Sequence, residues 1–188
     1  LIASVLGIVM VVANARVNVL GWPLAIASSA LYAWVFFGSR LYGEATLQLV
    51  FIAFAGWGWW QWLRGTTGDG EALRVRQMPV ALRARVAVLT LLAWSLLGWL
   101  LARTTNTDVP YLDALPTVVS LTGLWLLGRQ YIENWAVWAV VNAFSIVLFA
   151  HKALWLTTGL YVVFLLMALW GWRVWLSRAA AERTHTPG

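Results

Sequence analysis

The chain has 188 residues, of which 62% are hydrophobic and only 11% are charged, with a formal net charge of +6. Soluble domains carry about 25% charged residues, so this composition cannot cover a globule with a polar surface and excludes an ordinary soluble fold. The basic residues lie between apolar runs, which is typical of a membrane protein and argues against a nucleic-acid-binding surface.

Seven apolar segments are candidates for membrane-spanning helices, because a span needs about 20 mainly apolar residues. The long connection after the third segment starts with a glycine-rich run and is predicted to be a loop. The sequence therefore predicts an all-α membrane protein with seven transmembrane helices. In chain order they cover residues 1–15, 21–38, 44–63, 86–102, 114–128, 134–150 and 155–176.

Most basic residues lie at one end of the predicted helices, and this asymmetry predicts the orientation in the membrane. Because positive charges favour the cytoplasmic side, we expect the connection 64–85 and the C-terminus to be cytoplasmic. The opposite end has Arg40, Arg103 and Lys152. The cytoplasmic end would have Arg16, Arg64, Arg74, Arg76, Arg83, Arg85, Arg129, Arg173, Arg178 and Arg183.

An internal repeat relates predicted helices 1–3 to helices 5–7. One constant offset, without any gap, pairs Arg16 with Arg129, Trp22 with Trp135, Gly58 with Gly171 and Trp62 with Trp175. Helix 4 restores the chain direction, so both repeats enter the membrane in the same sense. Transporters built from such repeats bind substrate near the midplane, at the repeat interface.

This pattern predicts a 3+1+3 arrangement of two parallel three-helix repeats. A linker containing helix 4 joins the repeats, and a short cytoplasmic tail follows the second one. We therefore predict four regions: a first repeat over 1–63, a loop and linker helix over 64–113, a second repeat over 114–176 and a tail over 177–188.

Polar and aromatic residues inside the spans predict a substrate site, since polar groups in hydrocarbon are costly. Gln48 on helix 3 and Asn142 on helix 6 are candidate polar anchors, because each amide offers a donor and an acceptor. Both could instead form interhelical hydrogen bonds. Aromatic faces attract flat cations, which makes several rings candidates for the site lining. These are Tyr32, Trp34, Trp59, Trp138 and Tyr161, with Glu44 as a nearby carboxylate.

Two alternatives compete with substrate binding at individual positions. Trp57, Trp59, Trp60 and Trp62 lie near one end of helix 3 and are typical of an interfacial tryptophan belt. Glu44 lies near a span end and could simply sit in the interface. At the start of helix 6, Glu133 and Asn134 are expected to cap the helix, with Asn134 as N-cap.

Enzymatic function has no support in the motifs. The chain has no phosphate-binding glycine loop, catalytic triad or paired carboxylates, and it has no cysteine for a thiolate metal site. Its two histidines, His151 and His185, are far apart in the sequence. We therefore expect no enzyme activity, no metal and no cofactor. A non-transporting membrane scaffold is the main rival interpretation, and an intramembrane enzyme is the third.

Two motifs resemble the nicotinamide riboside transporter (PnuC) family. The first is LYGEATLQ at 41–48, followed by Gly58-Trp59 and Trp62, and the second is YIENWAVW at 131–138, followed by Val141-Asn142. The resemblance implies a 3+1+3 fold related to the SWEET sugar transporters. It also implies facilitated diffusion of an unphosphorylated vitamin across the bacterial inner membrane. A cytoplasmic kinase would trap the product, and a homotrimer would be the assembly.

One position departs from the family pattern. Nicotinamide riboside carriers of this family usually have an asparagine two helical turns after the glutamine of helix 3, and here that position is Ala55. Relatives of the family carry thiamine or riboflavin. The resemblance therefore implies nicotinamide riboside or a related cationic aromatic vitamin as substrate, with thiamine as the alternative.

Overall fold

The structure is a computed structural model that describes residues 2–40, 42–66, 70, 72–151 and 153–184. It confirms the seven predicted helices. Within the described residues, α2, α4, α5, α6 and α7 are long and apolar enough to cross a membrane, and α1 is a shorter apolar helix. The helices are α1 (Ile2–Ala15), α2 (Gly21–Gly38), α3 (Tyr42–Arg64), α4 (Val80–Thr104), α5 (Pro110–Gly128), α6 (Asn134–His151) and α7 (Trp155–Thr184).

The main boundary errors concern the end of α7, which continues to Thr184 and not to residue 176, and the start of α4. The predicted loop over 64–85 ends at Pro79, so Arg83 and Arg85 are helical. The Pro79 carbonyl accepts hydrogen bonds from the backbone N–H groups of Leu82 (2.9 Å) and Arg83 (3.0 Å), which start the first turn. Hydrophobicity marks only the part of a helix that lies in lipid, and α4 continues beyond that part.

Helix α4 lies at the edge of the bundle. Among the described helices it packs against α5 alone. The Thr90 and Thr122 hydroxyls hydrogen-bond at 3.0 Å, and the Trp94 indole donates to the Tyr111 carbonyl at 2.7 Å. The other helices pack as α1–α2–α3 and α5–α6–α7, with cross-contacts from α3 to α5 and from α1 to α7. We call α1–α3 the first half and α5–α7 the second half.

The two halves turn at equivalent positions. Helix α1 is followed by Val17 with φ 54°, and α5 is followed by Gln130, its equivalent in the repeat, with φ 56°. The second turns match as well, with φ 61° at Arg40 and 56° at the equivalent Ala153. Left-handed conformations are uncommon for residues other than glycine. Their recurrence at the same offset shows that the sequence repeat extends to the backbone.

Equivalent tryptophans form the core of each half. Trp22 meets Trp62 edge-to-face, with ring centroids 5.5 Å apart and planes at 88°. Trp135 meets Trp175 in the same way, at 5.6 Å and 87°. Each first tryptophan covers a glycine of its third helix, because a Cβ at Gly58 would lie 2.2 Å from the Trp22 ring. A Cβ at Gly171 would lie 2.6 Å from the Trp135 ring.

The halves also exchange hydrogen bonds through these tryptophans. The Trp62 indole donates to the Leu127 carbonyl of α5 at 3.0 Å. Reciprocally, the Trp175 indole donates to the Ala15 carbonyl of α1 at 3.1 Å. The belt prediction is therefore wrong for Trp62, because its N–H is directed to another helix and not to the membrane interface.

The connection between α3 and α4 docks on the turn between α5 and α6. We call residues 75–79 the strap. Arg76 donates its backbone N–H to the Gln130 carbonyl (3.1 Å) and accepts from the Ile132 N–H (3.0 Å). The Arg76 guanidinium donates to the Tyr131 hydroxyl at 3.2 Å. Val75 and Met78 of the strap are buried.

Glu133 anchors the strap and does not act with Asn134 in a helix cap. Its carboxylate accepts the backbone N–H of Met78 at 3.0 Å and pairs with Arg83 at 2.8 Å. Asn134 is the first residue of α6, and its side-chain amide donates to the Tyr131 carbonyl at 2.6 Å. The N-cap prediction for Asn134 is wrong, since its side-chain oxygen has no hydrogen-bond partner among the described residues.

Candidate functional site

A cavity of about 270 Å³ lies between α1 and α2 of the first half and α5, α6 and α7 of the second. Its size is close to the lower end of small-molecule pockets, roughly 300–1,000 Å³. Most of the lining is apolar, which suits a flat aromatic ligand. The polar lining residues are Asn14, Ser120, Asn134, Asn142 and Tyr161, and the aromatic ones are Trp22, Trp135, Trp138, Tyr161 and Phe164.

The aromatic part of the cavity is built by α6 and α7. Tyr161 stacks on Phe149 with ring centroids 5.2 Å apart and meets the edge of Phe164 at 6.0 Å. Trp138 lies one helix turn before Asn142, so both face the cavity from the same side of α6. An amide donor and acceptor and two aromatic side chains therefore line the same cavity.

The opposite part of the cavity has buried polar atoms without partners. Among the described residues, the side-chain oxygens of Asn14 and Asn134 and the indole nitrogens of Trp22 and Trp135 make no hydrogen bond. Asn14 lies near the end of α1 and Asn134 starts α6, so these atoms are close to the turns that follow α1 and α5. These atoms give the cavity wall hydrogen-bond donors and acceptors.

The structure brings three of the predicted site residues together. Asn142, Trp138 and Tyr161 line the cavity, and Asn142 is only 7% exposed. The other predicted aromatic residues are not among the cavity-lining residues. Trp34 is 82% exposed on the outer surface of α2, and Tyr32 stacks on Phe36 at 6.0 Å.

Helix α3 contributes no described residue to the cavity. Gln48 is half-buried on this helix and Trp59 is exposed near its end. Ala55, which replaces the usual asparagine, is 2% exposed and packs in the core cluster that contains Trp22. Glu44 belongs to α3, but its side chain lies outside the described residues.

The repeat explains where Gln48 lies. The offset that pairs Trp22 with Trp135 also places Gln48 on Tyr161. These two residues therefore occupy equivalent positions on the third helix of each half, and Tyr161 lines the cavity while Gln48 does not. The cavity is consequently asymmetric, with most of its lining in the second half.

Sequence reasoning missed Asn14, Ser120 and Asn134. Each is polar and close to or inside an apolar segment, and the cost of burying a polar group was the available signal. Asn14 was not predicted as a site residue, because it lies near the end of a short predicted helix. Asn134 was assigned to a cap, and Ser120 resembles the small residues that allow close helix packing.

Comparisons with known proteins agree with this arrangement. The family profile described as nicotinamide mononucleotide transporter matches residues 1–177. The nicotinamide riboside transporter PnuC of Escherichia coli is 27% identical over 79% of this chain and 72% of its own length. The PnuC of Neisseria mucosa is 28% identical over 93% and 70%, respectively.

Two further similarities widen the comparison. The riboflavin/roseoflavin transporter RibM of Streptomyces davaonensis is 27% identical over 97% of this chain and 86% of its own length. A crystal structure of the vitamin B3 transporter PnuC superposes with a TM-score of 0.76 and 26% identity. That match covers 98% of this chain and 81% of the other.

Proposed function

This chain belongs to the nicotinamide mononucleotide transporter family, and on that premise we propose that it carries an aromatic vitamin across the bacterial inner membrane by facilitated diffusion. It is a multi-pass membrane transporter and not an enzyme. The observation that carries the proposal is the cavity in which Asn142 lies beside Trp138 and Tyr161. The aromatic faces would stack on a flat cationic ring, and the amide would hydrogen-bond a polar substituent.

Nicotinamide riboside is the first candidate substrate, since it is the substrate that the PnuC relatives are named for. Riboflavin is the substrate named for the Streptomyces relative. Thiamine is the second candidate for this chain because Ala55 replaces the usual asparagine. The scaffold interpretation has no support in the comparisons, because the relatives named above are all transporters.

The proposed fold is a 3+1+3 arrangement of parallel repeats, 1–63 and 114–176, joined by 64–113. The reciprocal bonds of Trp62 to α5 and of Trp175 to α1 support it. Transport by alternating access would rock one half against the other about this contact, with the cavity between them. Helix α4 packs on α5 and would serve as the linker that restores the chain direction.

The strap would close the cytoplasmic end of the cavity. The abundance of arginine at that end supports the orientation, and the strap docks on the α5–α6 turn through Arg76 and Glu133.

Two further expectations from the family resemblance belong to the proposal. The first is assembly as a homotrimer. The second is a functionally linked cytoplasmic kinase. Facilitated diffusion only equalises the substrate concentrations on the two sides of the membrane, so a phosphorylation step that removes free substrate would be needed for accumulation.

The test is calorimetric titration of the purified protein with nicotinamide riboside, thiamine and riboflavin, followed by uptake into proteoliposomes that contain only this protein. We expect tight binding and uptake of one of them. Asn142→Leu should weaken binding by about 1–3 kcal/mol, or roughly 5- to 150-fold, while the protein stays folded. Trp34→Ala, on the outer surface, should bind like the wild type. Binding of none of the three vitamins would refute the proposal.

A further inference from the structure

Beside the cavity, each half has one large and one small residue on its first two helices. The order of the large and the small residue is reversed between the halves. In the first half, the large Met10 on α1 and the small Ala25 on α2 both line the cavity. The equivalent positions in the second half are the small Gly123 on α5 and the large Trp138 on α6. In the second half the large Trp138 occupies the space that Gly123 leaves.

Gly123 is packed tightly against Trp138. A Cβ at Gly123 would lie 3.2 Å from Cε2 and 3.3 Å from Cζ2 of the Trp138 indole, and 3.3 Å from Cγ1 of Val137. Glycine is less favourable than alanine inside a helix. The left-handed conformation that favours glycine is not present here, so the reason for glycine at this position is space.

We propose that Gly123 is a specificity-determining residue of this transporter, because it forms the notch that sets how far the Trp138 indole projects into the cavity. The inference rests on the proposed function, since Trp138 acts on specificity only if it contacts a substrate. Gly123 itself touches no substrate. It acts as a positioning residue through Trp138, and the ligand class is a flat aromatic ring that stacks on the indole.

A methyl group at position 123 would move the indole toward the cavity. The methyl would contact both Val137 and Trp138, which are neighbours on α6. Helix α6 also packs on α7, which limits how far it can retreat. The free volume lies in the cavity, and the indole would enter it by a few tenths of an ångström. In a cavity of about 270 Å³ this displacement reduces the gap available to a ring.

The effect should depend on the size of the ligand ring system. The single pyridine ring of nicotinamide riboside occupies less space in the cavity than the fused three-ring system of riboflavin. A narrower gap should therefore weaken the binding of riboflavin more than that of nicotinamide riboside. Glycine at this position would keep the cavity open to the wider ring systems.

A double-mutant cycle on ligand affinity tests the proposal. The variants are Gly123→Ala, Trp138→Phe and the two combined, titrated calorimetrically with nicotinamide riboside, thiamine and riboflavin. Gly123→Ala should weaken binding about tenfold in the wild-type background. It should change little in the Trp138→Phe background, because phenylalanine lacks the indole edge that the new methyl would contact.

Gly56→Ala is the matched control, since it adds a methyl to a helical glycine that has open space around its Cβ position. It should leave the affinity unchanged. Thermal unfolding of each variant separates loss of fold from loss of affinity.

An equal loss of affinity in both Trp138 backgrounds, or no loss in either, would overturn the role of Gly123. In that case binding by the wild type would still support the proposed function. Absence of binding to all three vitamins by the folded wild type would overturn both the proposed function and this inference.

Discussion

In each half of the molecule, a tryptophan of the second helix covers a glycine of the third helix and packs against a tryptophan of that same helix. These residues are Trp22, Gly58 and Trp62 in the first half and Trp135, Gly171 and Trp175 in the second. Around the cavity the halves differ. Ser29 corresponds to Asn142, and Ala25 corresponds to Trp138. The halves are therefore alike at these packing contacts and differ at other positions around the cavity, although Trp22 and Trp135 also belong to the cavity lining. Close packing restricts the residue at a contact, whereas a cavity wall tolerates a change of residue.

The largest effect should come from removing a tryptophan that joins the halves. Trp175 is 0% exposed and its indole donates to the Ala15 carbonyl. Trp175→Ala should destabilise the protein by about 3–5 kcal/mol, and Trp62→Ala by less, because Trp62 is only half-buried. Unfolding in detergent measures both, with the exposed Trp34→Ala as control. Equal losses for Trp62→Ala and Trp175→Ala would show that the two tryptophans contribute equally and would contradict the ranking by burial.

The next largest loss of stability should come from substitution of Gly58 and Gly171, the glycines that Trp22 and Trp135 cover. Gly58→Ala and Gly171→Ala should each destabilise the protein by about 1–3 kcal/mol through overpacking. The effect should be larger at Gly58, where the new Cβ would lie closer to the ring. Controls on the same helices are Gly56→Ala and Gly159→Ala, which have open space around the Cβ. Thermal unfolding measures the loss of stability in all four variants. Equal losses at Gly58 and Gly171 and at the control positions Gly56 and Gly159 would contradict the packing argument.

Exchanging the residue types of Asn142 and Ser29, its equivalent in the repeat, should change substrate binding and not folding. Asn142→Ser gives the second half the residue of the first half. Loss of the amide should weaken substrate binding by about 1 kcal/mol, or about fivefold, with little change in unfolding. The reciprocal Ser29→Asn should leave affinity unchanged, since Ser29 is not among the cavity-lining residues. Titration with the vitamin that the wild type binds measures both. An unaltered affinity in Asn142→Ser would remove Asn142 from the site.

The smallest effect should come from the strap, whose backbone hydrogen-bonds to the turn between α5 and α6. Glu133→Gln removes the charge that pairs with the half-exposed Arg83. The loss of stability should be about 0.2–1 kcal/mol and should shrink as the salt concentration rises. Unfolding at low and high salt measures this difference. A loss that does not depend on salt would contradict a role for the charge of Glu133.

The number and order of the helices followed from hydrophobicity and from the repeat, whereas α4 and α7 extend beyond their predicted bounds. The bounds of helix α6 are those of α2 moved along the chain by the offset of the repeat. The cavity was only partly predictable. Asn142, Trp138 and Tyr161 came from polar and aromatic residues inside the spans, whereas Asn14 and Ser120 were missed.

The sequence by itself determined that this is a seven-helix membrane protein with an internal repeat, because a lack of charge and the spacing of apolar runs depend only on the order of residues. The tertiary structure decided which side chains face the cavity. Trp34 and Trp138 are both tryptophans inside apolar spans, yet one faces outward and the other lines the cavity. In a membrane protein the lipid and the helix interior are both apolar, so hydrophobicity does not mark the inner face of a helix.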